Sequence, residues 1–238
     1  MMGQSHALSG AAAWLASVPL LTHEPLLGSY AVSLTPAQIA GGAVVCAGAA
    51  MLPDIDHHKG TISNTLGPIT RVLTKAVAKA SGGHRQATHS ILFAVAMGIA
   101  SELLATHFVY GWWVLLFLIV ALGLRGAGID FKVRGREVYA ETLDALLAAG
   151  VVFLLHGVDM RFVGYAVFLG CIAHVAGDCL TPRGCPVFWP VKKRIGVPLI
   201  PRTDGKVERW VIAPLLTLAI VVLSLRSALG DRATDWLT

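Results

Sequence analysis

Seven apolar stretches recur along the chain, at residues 7–21, 36–52, 89–108, 111–125, 141–157, 162–178 and 209–227. Residues 36–53 and 108–124 contain no Asp, Glu, Lys or Arg, 90–108 contain only Glu102, and 210–225 are again uncharged. A helix of about 17–25 such residues crosses a bilayer core. The first stretch is short, and charge interrupts the fifth at its start, at Glu141 and Asp144. Between the second and third stretches the pattern changes. Over 66–80 the cations Arg71, Lys75 and Lys79 recur at i, i+4 and i+8, one polar stripe on an amphipathic helix. Such a helix either lies along the headgroup plane or packs over the loops beside it. The pattern predicts an all-α, polytopic membrane helix bundle of about seven transmembrane helices plus one short amphipathic interfacial helix. No repeat or internal boundary divides residues 1–238, which read as a single integral membrane domain. Its two long loops, 53–88 and 179–208, are rich in Pro, Gly and polar residues and can fold over one another as a cap.

Composition agrees with that class. The chain is 55% hydrophobic and only 14% charged, against about 25% charged in a soluble domain, and its mean hydropathy is +0.67. The first Lys or Arg is Lys59, so the opening stretch lacks the basic region of a secretory signal. All of the 19 Lys and Arg except Arg161, Arg226 and Arg232 fall on one side when the spans are counted off. The positive-inside rule then puts the N-terminus and the long basic loops of a multi-pass membrane protein in the cytoplasm. The net charge of +5 follows from the same bias and implies no nucleic-acid partner. Lys192-Lys193-Arg194 reads as a topology signal touching anionic lipid, and Trp112, Trp113, Trp189 and Trp210 as interfacial anchors. The four cysteines form no CxxC pair. Cys46 and Cys171 lie inside spans as small apolar residues; Cys179 and Cys185 flank a loop and read the same way, with a bridge or a metal as the alternatives.

The chemistry gathers at span ends on that same side. Leu52-Pro53-Asp54-Ile55-Asp56-His57-His58 closes the second stretch. Pro53 is expected to stop the helix, and an extended segment would point Asp54 and Asp56 the same way. Two carboxylates so close repel unless a cation lies between them. Gly82-Gly83-His84-Arg85-Gln86-Ala87-Thr88-His89-Ser90 opens the third stretch. Thr88 is a natural N-cap that places His89 in the first helical turn, the paired glycines permit close backbone approach, and Arg85 suits an anionic oxygen such as phosphate. His174 and Asp178 are spaced i, i+4 on one helical face at the end of the sixth stretch. Glu141 and Asp144 open the fifth, where acids favour a helix N-terminus, and either is placed to reach the cluster. Ionisable groups at membrane depth are costly and generally serve a function. Mixed imidazole and carboxylate donors without thiolate fit zinc, with manganese or iron as alternatives. Their number suits one ion with a surrounding shell of supporting residues, or two ions.

The segments LPDID, HRQATHS, HVAGDCLTPRG and FWPVKKR together resemble the YdjM family of bacterial inner-membrane proteins, described as metal-dependent hydrolases by similarity. Ser5-His6-Ala7-Leu8-Ser9-Gly10 resembles that family's THxLxG opening, with Ser5 in place of Thr. The likeness runs from residue 6 to about 200. It implies a polar site of His6, Asp54, Asp56, His84, His89, His174 and Asp178. The resulting expectation is a membrane-embedded metal-dependent hydrolase. Its metal ligands would be His6, Asp54, Asp56, His89, His174 and Asp178, and its catalytic groups His84 and Arg85. Its partner is membrane lipid, with a lipid-linked or phosphorylated ester as substrate cleaved by metal-activated water. The alternatives are a metal-ion or proton-coupled transporter, using Glu102 with His107, His156 and Asp159 on the far side, and a scaffold whose polar cluster ties helices together.

Overall fold

The computed structural model describes residues 1–23, 31–57, 68–131, 137–160 and 162–235; Lys59, Lys132, Arg134, Arg136 and Arg161 of the charge count lie outside them. Among the described residues regular structure is helical, apart from one isolated bridge between Cys185 and Ile195. The helices are α1 (Gly3–Leu21), α2 (Pro36–Ala49), α3 (Pro68–Ala80), α4 (Ile91–His107), α5 (Val109–Gly126), α6 (Glu137–Leu155), α7 (Val163–Cys179) and α8 (Ala213–Asp235). Each apolar stretch therefore forms a helix, and α3 is the amphipathic one.

Four segments are long and apolar enough to cross a membrane: Pro36–Asp56, Val109–Gly126, Val138–Leu155 and Glu208–Ala228. Ile91–His107 and Val163–Cys179 are apolar but shorter. α1 has 19 residues yet is less apolar than these four, because Gln4, Ser5 and His6 occupy its first turn. The expected seven spans thus resolve into four long apolar segments, two shorter apolar helices and α1.

Helices α1, α2 and α7 pack against one another and form the centre. α5 packs on α2, α4 on α7 and α5, α6 on α5, and α8 on α1. The three central helices approach through small residues. A Cβ built on Gly10 of α1 would lie 2.4 Å from the Cys46 carbonyl oxygen, and one on Gly170 of α7 would lie 2.5 Å from the same atom. Membrane helices lack a hydrophobic drive to associate and rely on such close backbone contact. Gly170→Ala is therefore expected to destabilise the detergent-solubilised protein by about 1–3 kcal/mol, read as a lower thermal midpoint. An unchanged midpoint would mean that the helices part here at no cost.

Several local expectations are corrected. Pro53 does not stop α2, which ends at Ala49; Pro53 instead sits at the start of a 3₁₀ turn, Leu52–Asp56, where its missing N–H goes unmissed. Asp54 and Asp56 are therefore not in an extended strand. Ser90, not Thr88, caps α4, accepting from Phe93 N (3.2 Å), and His89 lies in a separate 3₁₀ turn, Ala87–His89, ahead of that helix. Trp112 is buried rather than interfacial, because it shares the packed face of α5 with Leu116 and Ile119. Trp210 is exposed, as an anchor would be. α3 buries Thr70 and Thr74 and packs on the Leu52–Asp56 turn, so it covers the end of α2. Asp144 accepts from Phe131 N (2.8 Å) and faces Arg125 (3.9 Å). Among the described residues neither it nor Glu141 joins a group of metal donors.

Candidate metal centre

The site lies where the first turn of α1, the end of α2, the turn before α4 and the end of α7 meet. Three groups of donors converge within 4.8 Å: Asp54, Asp56, His84 and His89; His6, Asp54 and His174; and His89, His174 and Asp178. Every residue expected to ligate a metal is therefore brought into one cluster, and so is His84. Asp54, His89 and His174 each belong to two of the groups, so the groups overlap in one centre.

The hydrogen bonds around the cluster fix how its imidazoles are presented. His174 donates from Nδ1 to the Ala50 carbonyl (2.6 Å), which leaves Nε2 as a lone pair. Thr88 donates its hydroxyl hydrogen to Asp56 Oδ2, since a carboxylate only accepts. Its oxygen is then the acceptor for His89 Nδ1 (3.1 Å), so His89 also presents Nε2. These tautomers follow from the partners available. The two Nε2 atoms lie 3.2 Å apart, an arrangement of facing lone pairs that needs a cation or a shared proton between them. Both also lie near Asp54 Oδ1 (3.5 and 3.8 Å) and Asp178 Oδ2 (3.5 and 3.7 Å). Donors around a tetrahedral ion with bonds of about 2.0–2.1 Å stand about 3.3–3.4 Å apart. The two Nε2 atoms stand near that spacing from one another, and the carboxylate oxygens stand slightly farther from them.

Electrostatics point the same way. Burial would push the His89 imidazole down, but the Asp54 and Asp56 carboxylates outweigh it and hold it at about 9, so without an ion His89 keeps a proton on Nε2 that bridges to His174 Nε2. The pocket calls for positive charge. His6 stacks on His174 (3.7 Å between ring centres), approaches Asp178 Oδ1 through Nε2 (3.4 Å), and leaves its buried Nδ1 without a partner. An orphaned buried nitrogen, two Nε2 atoms facing one another across a single proton, and clustered carboxylates together fit a divalent ion in that proton's place. Cys185 Sγ stands 4.0 Å from Asp178 Oδ2, outside the donor groups, so the set is nitrogen and oxygen.

Arg85 holds the site together. Its guanidinium donates to Asp178 Oδ1 (2.8 Å) and Thr181 Oγ (3.2 Å), and its backbone N–H to Asp56 Oδ2 (3.0 Å). Its backbone is left-handed (φ 61°), a strain that these bonds offset. Only its buried Nε has no partner. The neighbouring Gly82 and Gly83 are also left-handed, and a Cβ on Gly83 would meet nothing within 4 Å. Those glycines serve the turn's conformation, not close approach. His84 donates from Nδ1 to Asp56 Oδ1 (2.8 Å), keeps about a quarter of its side chain exposed, and stacks on His57 (4.5 Å).

Four contributors escape a reading by residue type. The Ala50 carbonyl is a backbone group and leaves no mark in sequence. Thr88 presents itself as a cap. Arg194, which donates to the Arg85 carbonyl (3.1 Å), hides within a basic run. Glu208, fully buried, accepts from the backbone N–H groups of Met2 and Asp204 and ties the start of the last span to α1; a lone acid opening an apolar run was its signal. Glu102 is occupied elsewhere, its Oε2 accepting from Gly164 N (3.1 Å) in the first turn of α7. A groove of about 730 Å³ between α1, α2 and α8 lies at the opposite end of α1, with Arg226 its one charged lining residue among the described residues.

A family profile described as YdjM inner membrane protein matches residues 1–127 and 142–231. The inner membrane protein YdjM of Escherichia coli (strain K12) is 28% identical over 174 residues, 71% of this chain, and that of Shigella flexneri matches equally. The match spans about 60% of the length of these curated relatives. No solved structure matches.

Proposed function

The chain belongs to the YdjM family of inner membrane proteins, and on that premise we propose that its buried His–Asp centre binds a divalent metal and hydrolyses an ester or phosphoester of a membrane lipid at the cytoplasmic interface. The observation that carries this reading is the pair of Nε2 atoms 3.2 Å apart, each fixed by a hydrogen bond on its other nitrogen. Supporting partners of this kind orient histidine ligands at metal sites generally. Zinc, manganese or iron suits the donors. A bound ion would supply Lewis acidity, acidifying water and stabilising charge on an ester oxygen.

The chain's own groups supply the rest. His84, held by Asp56 and open at the rim, is placed to take a proton from water and return it to a leaving oxygen. Arg85 keeps Asp56 and Asp178 in place, and its unpartnered Nε is the one guanidinium nitrogen left to meet an anionic oxygen. Sitting where spans end, the site reaches headgroup depth, which favours lipid esters, and the cationic loops place that end in the cytoplasm. The transporter reading has less support: Glu102 is the one charged residue within 90–108, and its Oε2 accepts from Gly164 N.

Elemental analysis of the detergent-purified protein is expected to find stoichiometric metal in the wild type and none in Asp54→Ala. Metal without metal-dependent turnover of any phosphoester, carboxylic ester or amide leaves a structural centre and ends the hydrolase reading. A wild type devoid of metal ends the proposal altogether and leaves a scaffold.

A further inference from the structure

The loop 181–202 leaves the end of α7 and is fixed there by backbone bonds. Val197 N donates to the Cys179 carbonyl (2.7 Å), Ile200 N to that of Leu180 (2.9 Å), and Ile91 N to that of Val187 (3.0 Å). Cys185 and Ile195 exchange both bonds of their bridge (3.1 and 2.9 Å). Arg194 pins the loop further, donating to the carbonyls of Gly184 (3.3 Å) and Arg85 (3.1 Å). The loop is fixed in place, yet it exposes large apolar side chains: Phe188, Val191, Val197 and Leu199 are each more than half exposed. Lys192 and Lys193 are exposed among them. Arg183, Lys192, Lys193, Arg194 and Arg202 lie between Asp178 and Asp204, and no acid does. This one loop carries as much positive charge as the whole chain has net, +5.

Large apolar side chains clustered on a surface mark a contact with something other than water. Interleaved with cations at the end of a membrane bundle, they meet hydrocarbon and anionic headgroups at once. We infer that residues 186–199 are a docking surface for anionic phospholipid, with Lys192 and Lys193 on the phosphates and Phe188, Val191, Val197 and Leu199 at the acyl boundary. Arg194 passes the seating of the loop to Arg85, and so to Asp56 and Asp178. This does not depend on the hydrolase reading, and its test measures lipid rather than metal or turnover.

The full-length protein in detergent is titrated with phosphatidylglycerol or phosphatidylcholine and bound lipid is counted by native mass spectrometry. Phosphatidylglycerol is expected to be retained in preference. Lys192→Gln with Lys193→Gln should weaken it roughly 30-fold at low salt, whereas Lys192→Arg with Lys193→Arg should stay near wild type. Phe188→Ser with Leu199→Ser should weaken both lipids alike. Equal retention of the two lipids by the wild type, or unchanged phosphatidylglycerol binding in the double Gln variant, overturns the inference. So does tighter binding of an acidic peptide or of DNA than of phosphatidylglycerol vesicles.

Discussion

Replacing His89 with alanine is expected to cost at least about 100-fold in metal affinity, because supporting residues alone are commonly worth 10–100-fold and His89 is itself a donor in two of the three groups. It also provides one of the two facing Nε2 atoms. The measurement is metal titration of chelator-stripped protein, with thermal midpoints taken in parallel. An ion bound only by the folded state adds about 4 kcal/mol when present at 1,000 times its dissociation constant. Chelator should therefore lower the midpoint of the wild type, and that of His89→Ala by no more than about a third as much, since an ion bound 100-fold more weakly adds only about 1.4 kcal/mol at the same concentration. A wild-type midpoint indifferent to chelator would instead identify the cluster as a tether between helices.

Arg85→Met should destabilise the protein by about 3–5 kcal/mol, the usual result of stripping one partner from buried charges. Its guanidinium is the side-chain cation against Asp178 (2.8 Å), and both groups are buried. Arg85→Lys should recover only part of that loss, since an ammonium cannot bridge Asp178 and Thr181 as the planar fork does. Adding Asp178→Asn to Arg85→Met should cost less than the two changes summed, because the two groups are in direct contact and each change removes the same bond. Thermal unfolding in detergent reads the wild type, the three single variants and the double variant. Arg85→Met with a wild-type midpoint would show that the guanidinium compensates nothing.

The helices were legible because a bilayer imposes composition directly: a spanning segment must be long and apolar, and α2 and α5 announce themselves as uncharged runs. The site residues were legible for the complementary reason. Asp54, His89, His174 and Asp178 interrupt apolar segments at their ends, where ionisable groups are costly. His6 came from the resemblance to the family, and the structure stacks it on His174. Details at the segment boundaries were misread. Pro53 and Thr88 each have two common local roles, and neighbours distant in sequence chose between them: α3 packs over the turn that Pro53 opens, and Asp56 claims the Thr88 hydroxyl. The residue type of Arg85 suits phosphate, but it does not reveal that Asp178 and Thr181, more than 90 residues on, engage its two terminal nitrogens.

By itself, then, the order of apolar and polar residues determined a membrane bundle and the end of it at which the ionisable groups gather. Hydrophobic length and charge are properties each segment carries alone. Which nitrogen of each histidine faces the centre was decided only by the tertiary structure. The deciding partners are the Ala50 carbonyl and the Thr88 hydroxyl, and the first of these reaches His174 because Gly10 and Gly170 let three helices close around Cys46. A backbone carbonyl is the same group in every residue, so only packing can say which one an imidazole will meet.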